Sequence, residues 1–144
     1  MKKIWSALLL FSVIALGACN DDDNNNPVVD EIVKAYISEN YPGAVIRDTD
    51  YDRGFLEVEI YHDARIKDVF FNSLDEWIAT TWDVSTADLP AAVTAKITEL
   101  YSNYRIDDAD YVVTPSGESY YIEVERGNIE RAFYIAADGT IVSG

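Results

Sequence analysis

An internal repeat of about sixty residues is the feature that most constrains the fold of this 144-residue chain. When the sequence is shifted by sixty positions, residues 33–51 align with residues 93–111, and nine of the nineteen positions are identical. The identical pairs are Val33/Val93, Ala35/Ala95, Ile37/Ile97, Glu39/Glu99, Tyr41/Tyr101, Ile46/Ile106, Asp48/Asp108, Asp50/Asp110 and Tyr51/Tyr111. Self-similarity at a fixed spacing predicts two copies of one structural unit, here residues 29–86 and 87–144.

Each unit begins with a pattern typical of an amphipathic helix. From Val29 to Tyr41 the apolar residues follow helical spacing, and Pro42-Gly43 ends the pattern. In the second unit the apolar stripe runs from Leu89 to Tyr104, with Asp88 as a candidate N-cap and Pro90 as a candidate first-turn residue.

The rest of each unit alternates with the period of two that indicates strands. Leu56, Val58 and Ile60, for example, alternate with acidic or tyrosine residues. Turn signals separate runs near 44–51, 54–61, 65–71 and 77–83, and near 105–113, 119–126, 129–135 and 140–142. The expected fold class is α+β: a tandem repeat of one helix plus a four-stranded antiparallel meander, with both helices packed on one sheet face.

The N-terminal segment has the parts of an export signal. Lys2 and Lys3 precede an apolar run of about thirteen residues, shorter than the roughly twenty that a membrane-spanning helix needs. The ending Leu16-Gly17-Ala18-Cys19 resembles the bacterial lipobox, in which the cysteine carries lipid and becomes the mature N-terminus. We therefore expect residues 1–18 to be a lipoprotein signal peptide and Cys19 to be lipidated; a plain secretory signal with a spare thiol is the alternative.

Residues 19–28 are predicted to form a disordered tether. Asn20 to Pro27 consists of Asn and Asp followed by proline, with no apolar residue to bury. The stretch resembles the acidic segment that follows the cysteine in lipoproteins of Bacteroidota. This resemblance implies a cell-envelope protein anchored to the outer membrane by lipid, on either its periplasmic or its surface-exposed side.

Charge and cysteine content exclude several classes of protein. The chain has 11 basic and 26 acidic residues, a net charge of −15, and its expected signal peptide removes two lysines and no acid. Such an acidic chain is a poor ligand for nucleic acid, whose phosphates require Lys and Arg. A single cysteine allows no internal disulfide, so the folded part must depend on its hydrophobic core.

At this point the sequence resembles a known family. Leu89-Pro90-Ala91-Ala92-Val93 opening a helix, Tyr41-Pro42-Gly43-Ala44-Val45-Ile46 leaving one, and Tyr121-Ile122-Glu123-Val124-Glu125 before a glycine turn are similar to the PepSY-like, β-lactamase-inhibitor-like periplasmic family of Bacteroidota. The resemblance covers about residues 30–144. It implies a tandem helix-plus-four-strand architecture, no cofactor, and a role in binding or inhibiting proteins.

The sequence contains no pattern typical of an enzyme. His62, the only histidine, is predicted to lie in a hairpin turn, and no glycine-rich phosphate loop is present. The carboxylates of Asp48, Asp50 and Asp52 partly match a calcium-loop template, but Gly54 falls one residue late. Strand geometry would also space the three along one face, too far apart for one ion. We therefore expect no catalytic residue, no metal site and no small-molecule cofactor.

The aromatic residues of the strands are the candidate binding residues. If the helices cover one sheet face, about half of these side chains are on the other face, where aromatics and carboxylates would suit protein recognition. The candidates are Tyr61, Trp77, Trp82, Tyr121 and Tyr134. Packing within the core is the alternative for each of them. The first hypothesis is a lipid-anchored protein that binds or inhibits a protein partner. The second is a glycan- or cation-binding accessory lipoprotein of an outer-membrane uptake system.

Overall fold

The computed structural model describes residues 29–143. The expected signal peptide, the expected lipidation site at Cys19 and the expected tether all lie outside the described residues, which begin at Val29, the first residue of the first unit. They remain predictions.

Eight antiparallel strands form one sheet, and two helices pack on it. The order along the chain is α1 (Glu31–Asn40), β1 (Val45–Asp52), β2 (Phe55–His62), β3 (Arg65–Phe71), β4 (Trp77–Asp83), α2 (Ala91–Leu100), β5 (Arg105–Thr114), β6 (Gly117–Arg126), β7 (Ile129–Ile135) and β8 (Ile141–Ser143). The strands are adjacent in sequence order, from β1 at one edge to β8 at the other. The α+β class is therefore confirmed. Within residues 29–143, no helix has the length and apolarity needed to cross a membrane.

The helix ends follow local sequence signals, with one exception. The Asp30 side chain accepts a hydrogen bond from the backbone N–H of Ile32 at 2.9 Å and so caps α1. The expectation that Asp88 caps the second helix is wrong. Asp88 lies in a short 3₁₀ turn, Thr86–Asp88, and the extended backbone of Leu89 separates that turn from Pro90, which occupies the N-cap position of α2.

Each helix covers one half of the sheet through an apolar stripe. Val33 and Ile37 of α1 are buried against β2 and β3, and Val93 and Ile97 of α2 are buried against β6 and β7. The inward residues of the strands complete the two clusters: Leu56, Val58, Ile60, Val69 and Phe71 in the first, and Ala109, Ile122, Val124, Phe133 and Ile135 in the second. Each fully buried side chain of this kind contributes roughly 1.5–3 kcal/mol. The two cores account for the fold without a disulfide.

The strand bounds lie close to those that the sequence predicts. The runs at 65–71, 77–83 and 129–135 agree residue for residue, whereas β6 begins at Gly117, two residues earlier than expected. The two edge strands are irregular or short: a register shift interrupts the β1–β2 pairing between Ile46 and Asp48, and β8 has three residues.

Candidate binding face

The sheet has one face covered by the helices, the helix face, and one that they do not cover, the open face. Val58, Val69 and Thr80 are paired across β2, β3 and β4, and Val58 and Val69 belong to the core under α1. Because successive side chains of a strand point to opposite faces, the residues on either side of these three belong to the open face. The same alternation continues from β5 to β7.

Three apolar side chains form an exposed row at one corner of the open face. Val45 on β1 is opposite Tyr61 on β2, which is opposite Ile66 on β3. Their exposed fractions are 59%, 44% and 41%, respectively. Adjacent strands are about 4.8 Å apart, so the three side chains are direct neighbours. We call Val45, Tyr61 and Ile66 the apolar row.

Carboxylates face carboxylates across most of the open face. The directly opposed pairs are Asp50/Glu57, Asp48/Glu59, Glu59/Asp68, Asp83/Asp110, Asp108/Glu123 and Glu125/Glu130. Like charges directly opposite one another destabilise a sheet. Arg105 neutralises one end of the series, where its guanidinium pairs with Asp107 and Glu125. The open face therefore carries a concentration of negative charge. Repulsion between these carboxylates makes the folded sheet less stable.

Asp110 is the most unusual of these carboxylates. It is fully buried, with an exposed fraction of 0%, and neither carboxylate oxygen accepts a hydrogen bond from a donor within residues 29–143. Burial first, and then the charges of Asp108, Asp83 and Asp68, raise the pKa of Asp110 to about 8. The protonated carboxyl can donate a hydrogen bond to Asp83, and this is the state expected at neutral pH. We call Asp68, Asp83, Asp108 and Asp110 the acid cluster.

A second buried polar atom without a partner lies beside the acid cluster. Thr81 on β4 is opposite Asp68, and Asp83 follows it two residues later on the same face. The exposed fraction of Thr81 is 2%, and the described residues provide no hydrogen-bond partner for Thr81 Oγ1. Two tyrosines border the cluster on the other side. Tyr121 is opposite Asp110 and donates to Glu123 at 2.6 Å, and Tyr134 on β7 is opposite Tyr121.

The structure divides the five aromatic candidates between the two faces. Tyr61, Tyr121 and Tyr134 belong to the open face, but only Tyr61 is exposed, since Tyr134 is half-buried and Tyr121 is buried. Trp77 and Trp82 belong to the helix face. The five side chains therefore do not share one surface, because both tryptophans lie on the face that the helices cover and Tyr121 is buried. A role for them in partner binding stays a prediction.

Trp77 is a packing residue of the first core. Its ring stacks on Tyr36 of α1 with centroids 5.9 Å apart, and its Nε1 donates to Thr80 Oγ1 at 2.9 Å. The Tyr41 hydroxyl, beyond the end of α1, shares a 2.6 Å hydrogen bond with the same Thr80 oxygen. Burial raises the pKa of Tyr36 to about 12. These contacts join α1 to β4.

Trp82 lies on the helix face next to Tyr111, with ring centroids 4.8 Å apart. The Lys67 ammonium is 5.2 Å from the Trp82 ring and 5.4 Å from the Tyr41 ring, and burial lowers its pKa. His62 ends β2 immediately before the turn at 63–64, close to its expected position. Its Nδ1 lies 3.0 Å from Lys67 Nζ. The rings of Trp82 and Tyr41 and the imidazole of His62 therefore surround the Lys67 ammonium.

The carboxylates of the calcium-loop template lie on β1, as strand geometry predicts. Asp48 and Asp50 are opposite Glu59 and Glu57 of β2, and Asp52 is opposite Phe55. Among residues 29–143, no group of three or more His, Cys, Asp and Glu side chains is arranged to hold a metal ion.

Comparison with known families gives a match over nearly the whole described chain. The family described as "Putative beta-lactamase-inhibitor-like, PepSY-like" matches residues 19–68 and 57–143. The chain belongs to this family. The resemblance inferred from the helix and turn motifs is confirmed. A comparison with curated proteins gives no significant match.

Several solved structures share the fold of this chain. A BLIP-like protein from Bacteroides fragilis superimposes with a TM-score of 0.69 at 21% identity, covering 78% of this chain and 82% of that one. A DUF2874 family protein from Bacteroides ovatus gives 0.69 at 22% identity, with coverages of 83% and 86%. A structure from Bacteroides eggerthii, described as "putative periplasmic proteins", gives 0.68 at 18% identity, with coverages of 79% and 86%.

The sequence pattern predicts the aromatic side chains of the strands as binding residues and not their carboxylates. Of the apolar row, the sequence analysis predicts Tyr61 but not Val45 or Ile66, and it names no residue of the acid cluster as a binding residue, although strand alternation places Asp48 and Asp50, and Asp108 and Asp110, on one face of their strands. Extending that alternation across the turns would have identified the acidic face.

Proposed function

We propose that this chain is a non-enzymatic binding protein that recognises a protein partner through the open face. The observation that carries the proposal is the apolar row, three exposed side chains in direct contact range on a sheet face that neither helix covers. The description of the family as β-lactamase-inhibitor-like supports a protein-binding, inhibitor-like role.

The composition of the open face suits a protein interface. Binding energy in such interfaces is concentrated in a few apolar and aromatic anchors, and the charged residues around them add specificity and speed of association. Tyr61 provides an aromatic anchor at the centre of the apolar row, and Glu59 lies two residues away on the same strand and face. The carboxylates extend from there towards β5 and β6.

A glycan ligand, the second hypothesis, has less support on this face. Tyr61 on β2 and Tyr134 on β7 are five strands apart, which corresponds to about 24 Å, and Tyr121 is buried. Two rings so widely separated do not form a platform for one sugar. A glycan array is the direct comparison, and a hit that depends on Tyr134 but not on Tyr61 would favour the glycan hypothesis.

We also propose a cell-envelope location with lipid attached at Cys19, presented to the periplasm or to the cell surface. The lipobox-like ending Leu16-Gly17-Ala18-Cys19 supports the attachment, and the periplasmic description of the Bacteroides eggerthii structure supports the compartment. Metabolic labelling with an alkyne fatty acid should mark the full-length protein and not its Cys19→Ser variant. Equal labelling of both would contradict lipid attachment at this residue.

We infer that the two halves are copies of one duplicated unit. Several local details support this beyond the sequence identities. The backbone N–H of Tyr41 bonds to the carbonyl of Ile37 at 2.8 Å, as that of Tyr101 does to Ile97 at 2.8 Å. The register shift between Ile46 and Asp48 recurs between Ile106 and Asp108.

A matched pair of variants tests the protein-binding proposal. Tyr61→Asp puts a charge in the apolar row, whereas Leu74→Asp puts the same charge on the β3–β4 turn, where Leu74 has an exposed fraction of 73%. Cross-linking in intact cells, followed by mass spectrometry, should recover the same partner with the wild type and with Leu74→Asp, and much less with Tyr61→Asp. Equal recovery with both variants would overturn the open face as the binding surface.

A further inference from the structure

The acid cluster has a feature that protein recognition in general does not explain. Thr81 Oγ1 is a buried oxygen atom without a hydrogen-bond partner among the described residues, and it lies on the same sheet face as the fully buried Asp110, whose oxygens accept no hydrogen bond there and whose protonated carboxyl can donate to Asp83. Buried polar atoms in proteins are almost always paired, so each exception calls for a ligand, a water molecule or a functional reason. Both residues lie on the central strands β4 and β5, where the two halves of the sheet meet.

The charges that raise the pKa of Asp110 are all carboxylates. Asp68 on β3, Asp83 on β4 and Asp108 on β5 each raise the pKa of Asp110. Tyr121 and Glu123 on β6 lie in the same region. On β7, burial and then the charge of Asp110 raise the pKa of Tyr134 to about 12. A cation placed here would interact favourably with all of these carboxylates at once.

The spacing of the cluster favours an organic cation over a metal ion. Asp108 and Asp110 are two residues apart on one strand, a distance of about 6.6 Å, and residues 29–143 contain no arrangement of three carboxylates able to hold a metal ion. A lysine ammonium or an arginine guanidinium has several N–H donors that can bond to carboxylates on two neighbouring strands. The exposed Asp83 offers the point of first contact.

We propose that the acid cluster receives one lysine or arginine side chain of the partner that the open face binds. The inference rests on the proposed function and specifies the chemistry of the partner. The cation pairs with Asp83 and Asp108, and Asp110, which is opposite Asp83 on the neighbouring strand, supplies a further negative charge by releasing its proton to solvent. One proton is released for each cation bound.

The proposal predicts a particular pH dependence. Below about pH 8 the cation must displace the proton of Asp110, so that affinity increases from pH 6.5 to pH 8.5. The pH dependence should disappear when Asp110 alone is replaced. Asp110→Asn keeps the size of the side chain and removes the proton exchange.

The test uses small probes, so it does not require the partner. N-acetyl-argininamide is titrated into the isotope-labelled chain from residue 19 onward, carrying Cys19→Ser, and amide shifts are followed by NMR at pH 6.5 and pH 8.5. N-acetyl-citrullinamide, which has the same shape without the charge, is the ligand control. Glu31→Gln, which removes one exposed carboxylate on α1, is the variant control.

We expect saturable shifts at Asp83, Asp108 and Tyr121 with the arginine probe only. Affinity should increase several-fold from pH 6.5 to pH 8.5 in the wild type and in Glu31→Gln, and should stay constant in Asp110→Asn. Shifts spread over all exposed carboxylates, saturation by Ca²⁺ but not by the arginine probe, or equal pH dependence in Asp110→Asn would each overturn the proposal.

The outcome is separable from that of the protein-binding proposal. If the probe binds at the acid cluster while Tyr61→Asp leaves partner recovery unchanged, the cation site stands and the open-face interface fails. If Tyr61→Asp abolishes partner recovery but the probe does not bind, the interface stands and the cation site fails.

Discussion

Gly139 lies so close to the first turn of α2 that a β-carbon built on it would be 2.9 Å from the carbonyl oxygen of Ala92. Its φ of +87° is also in the region that glycine adopts most easily. Gly139→Ala should therefore destabilise the chain by about 2–3 kcal/mol, through backbone strain and displacement of α2. Urea unfolding measures the change.

Gly43→Ala is the matched control for this prediction. Gly43 has a φ of +81°, but no described atom lies within 4 Å of its built β-carbon. Gly43→Ala should therefore lower the free energy of unfolding only by the backbone-strain contribution, about 1 kcal/mol. Equal losses in the two variants would show that the contact with Ala92 contributes nothing.

Thr80 and Thr81 provide a second matched pair, because the two hydroxyls are equally buried and differ in their bonding. Thr80 Oγ1 bonds to both Tyr41 and Trp77, whereas Thr81 Oγ1 has no partner within residues 29–143. Thr80→Val should cost about 2 kcal/mol, since it leaves the Trp77 Nε1 donor and the Tyr41 hydroxyl, both partly buried, without this partner. Thr81→Val should be neutral or stabilising by up to about 1 kcal/mol. Thermal and urea unfolding measure the stability of the two variants. A larger loss of stability in Thr81→Val than in Thr80→Val would contradict this prediction.

Asp110 should make the stability of the chain depend on pH. Its proton is held in the folded chain up to about pH 8, whereas the unfolded chain loses it near the ordinary value of 3.8. The folded state thus binds one more proton between these limits, and the free energy of unfolding falls as pH rises, by up to about 1.4 kcal/mol per unit. Urea unfolding from pH 5 to pH 8 should show a steeper decline for the wild type than for Asp110→Asn. Parallel curves would contradict the raised pKa.

Glu59 should be a carboxylate whose removal stabilises the sheet. It lies between Asp48 and Asp68 on adjacent strands, so Glu59→Gln relieves two like-charge contacts. We expect a gain of about 0.5–1 kcal/mol at low salt, decreasing as salt screens the charges. Glu99→Gln is the control, because Glu99 pairs with Lys96 at 2.8 Å and should yield no gain. An equal gain in both variants would indicate a general effect of net charge.

Much of the fold follows from local sequence signals. The helical spacing from Val29 to Tyr41 and the period-two alternation around Val58 correspond to α1 and β2. Those patterns persist because each apolar residue has to reach the same core. The sequence pattern predicts Asp88 as the cap of α2, but the extended backbone of Leu89, whose side chain is buried in the core with Val93 and Ile97, separates Asp88 from the helix.

The candidate site was less predictable, because it depends on which strands are neighbours. Asp50 and Asp110 occupy equivalent positions in the sequence repeat, yet β1 is an edge strand while β5 pairs on both sides. Only the pairing of β5 with β4 brings Asp83 opposite Asp110 and buries the latter. A strand pattern alone likewise does not show that Trp77 packs under α1, because the register shift between Phe70 and Phe71 changes the pairing next to Trp77.

The two edges of the sheet have a consequence for copies of the chain at high local concentration. An exposed, regular edge strand can add a strand from a neighbouring molecule and so begin aggregation. Here β1 is interrupted by its register shift and carries Asp48, Asp50 and Asp52, while β8 offers three residues to a neighbour. Crowded copies would therefore repel one another at one edge and find little backbone to pair with at the other, which protects the sheet against open-ended growth into fibres.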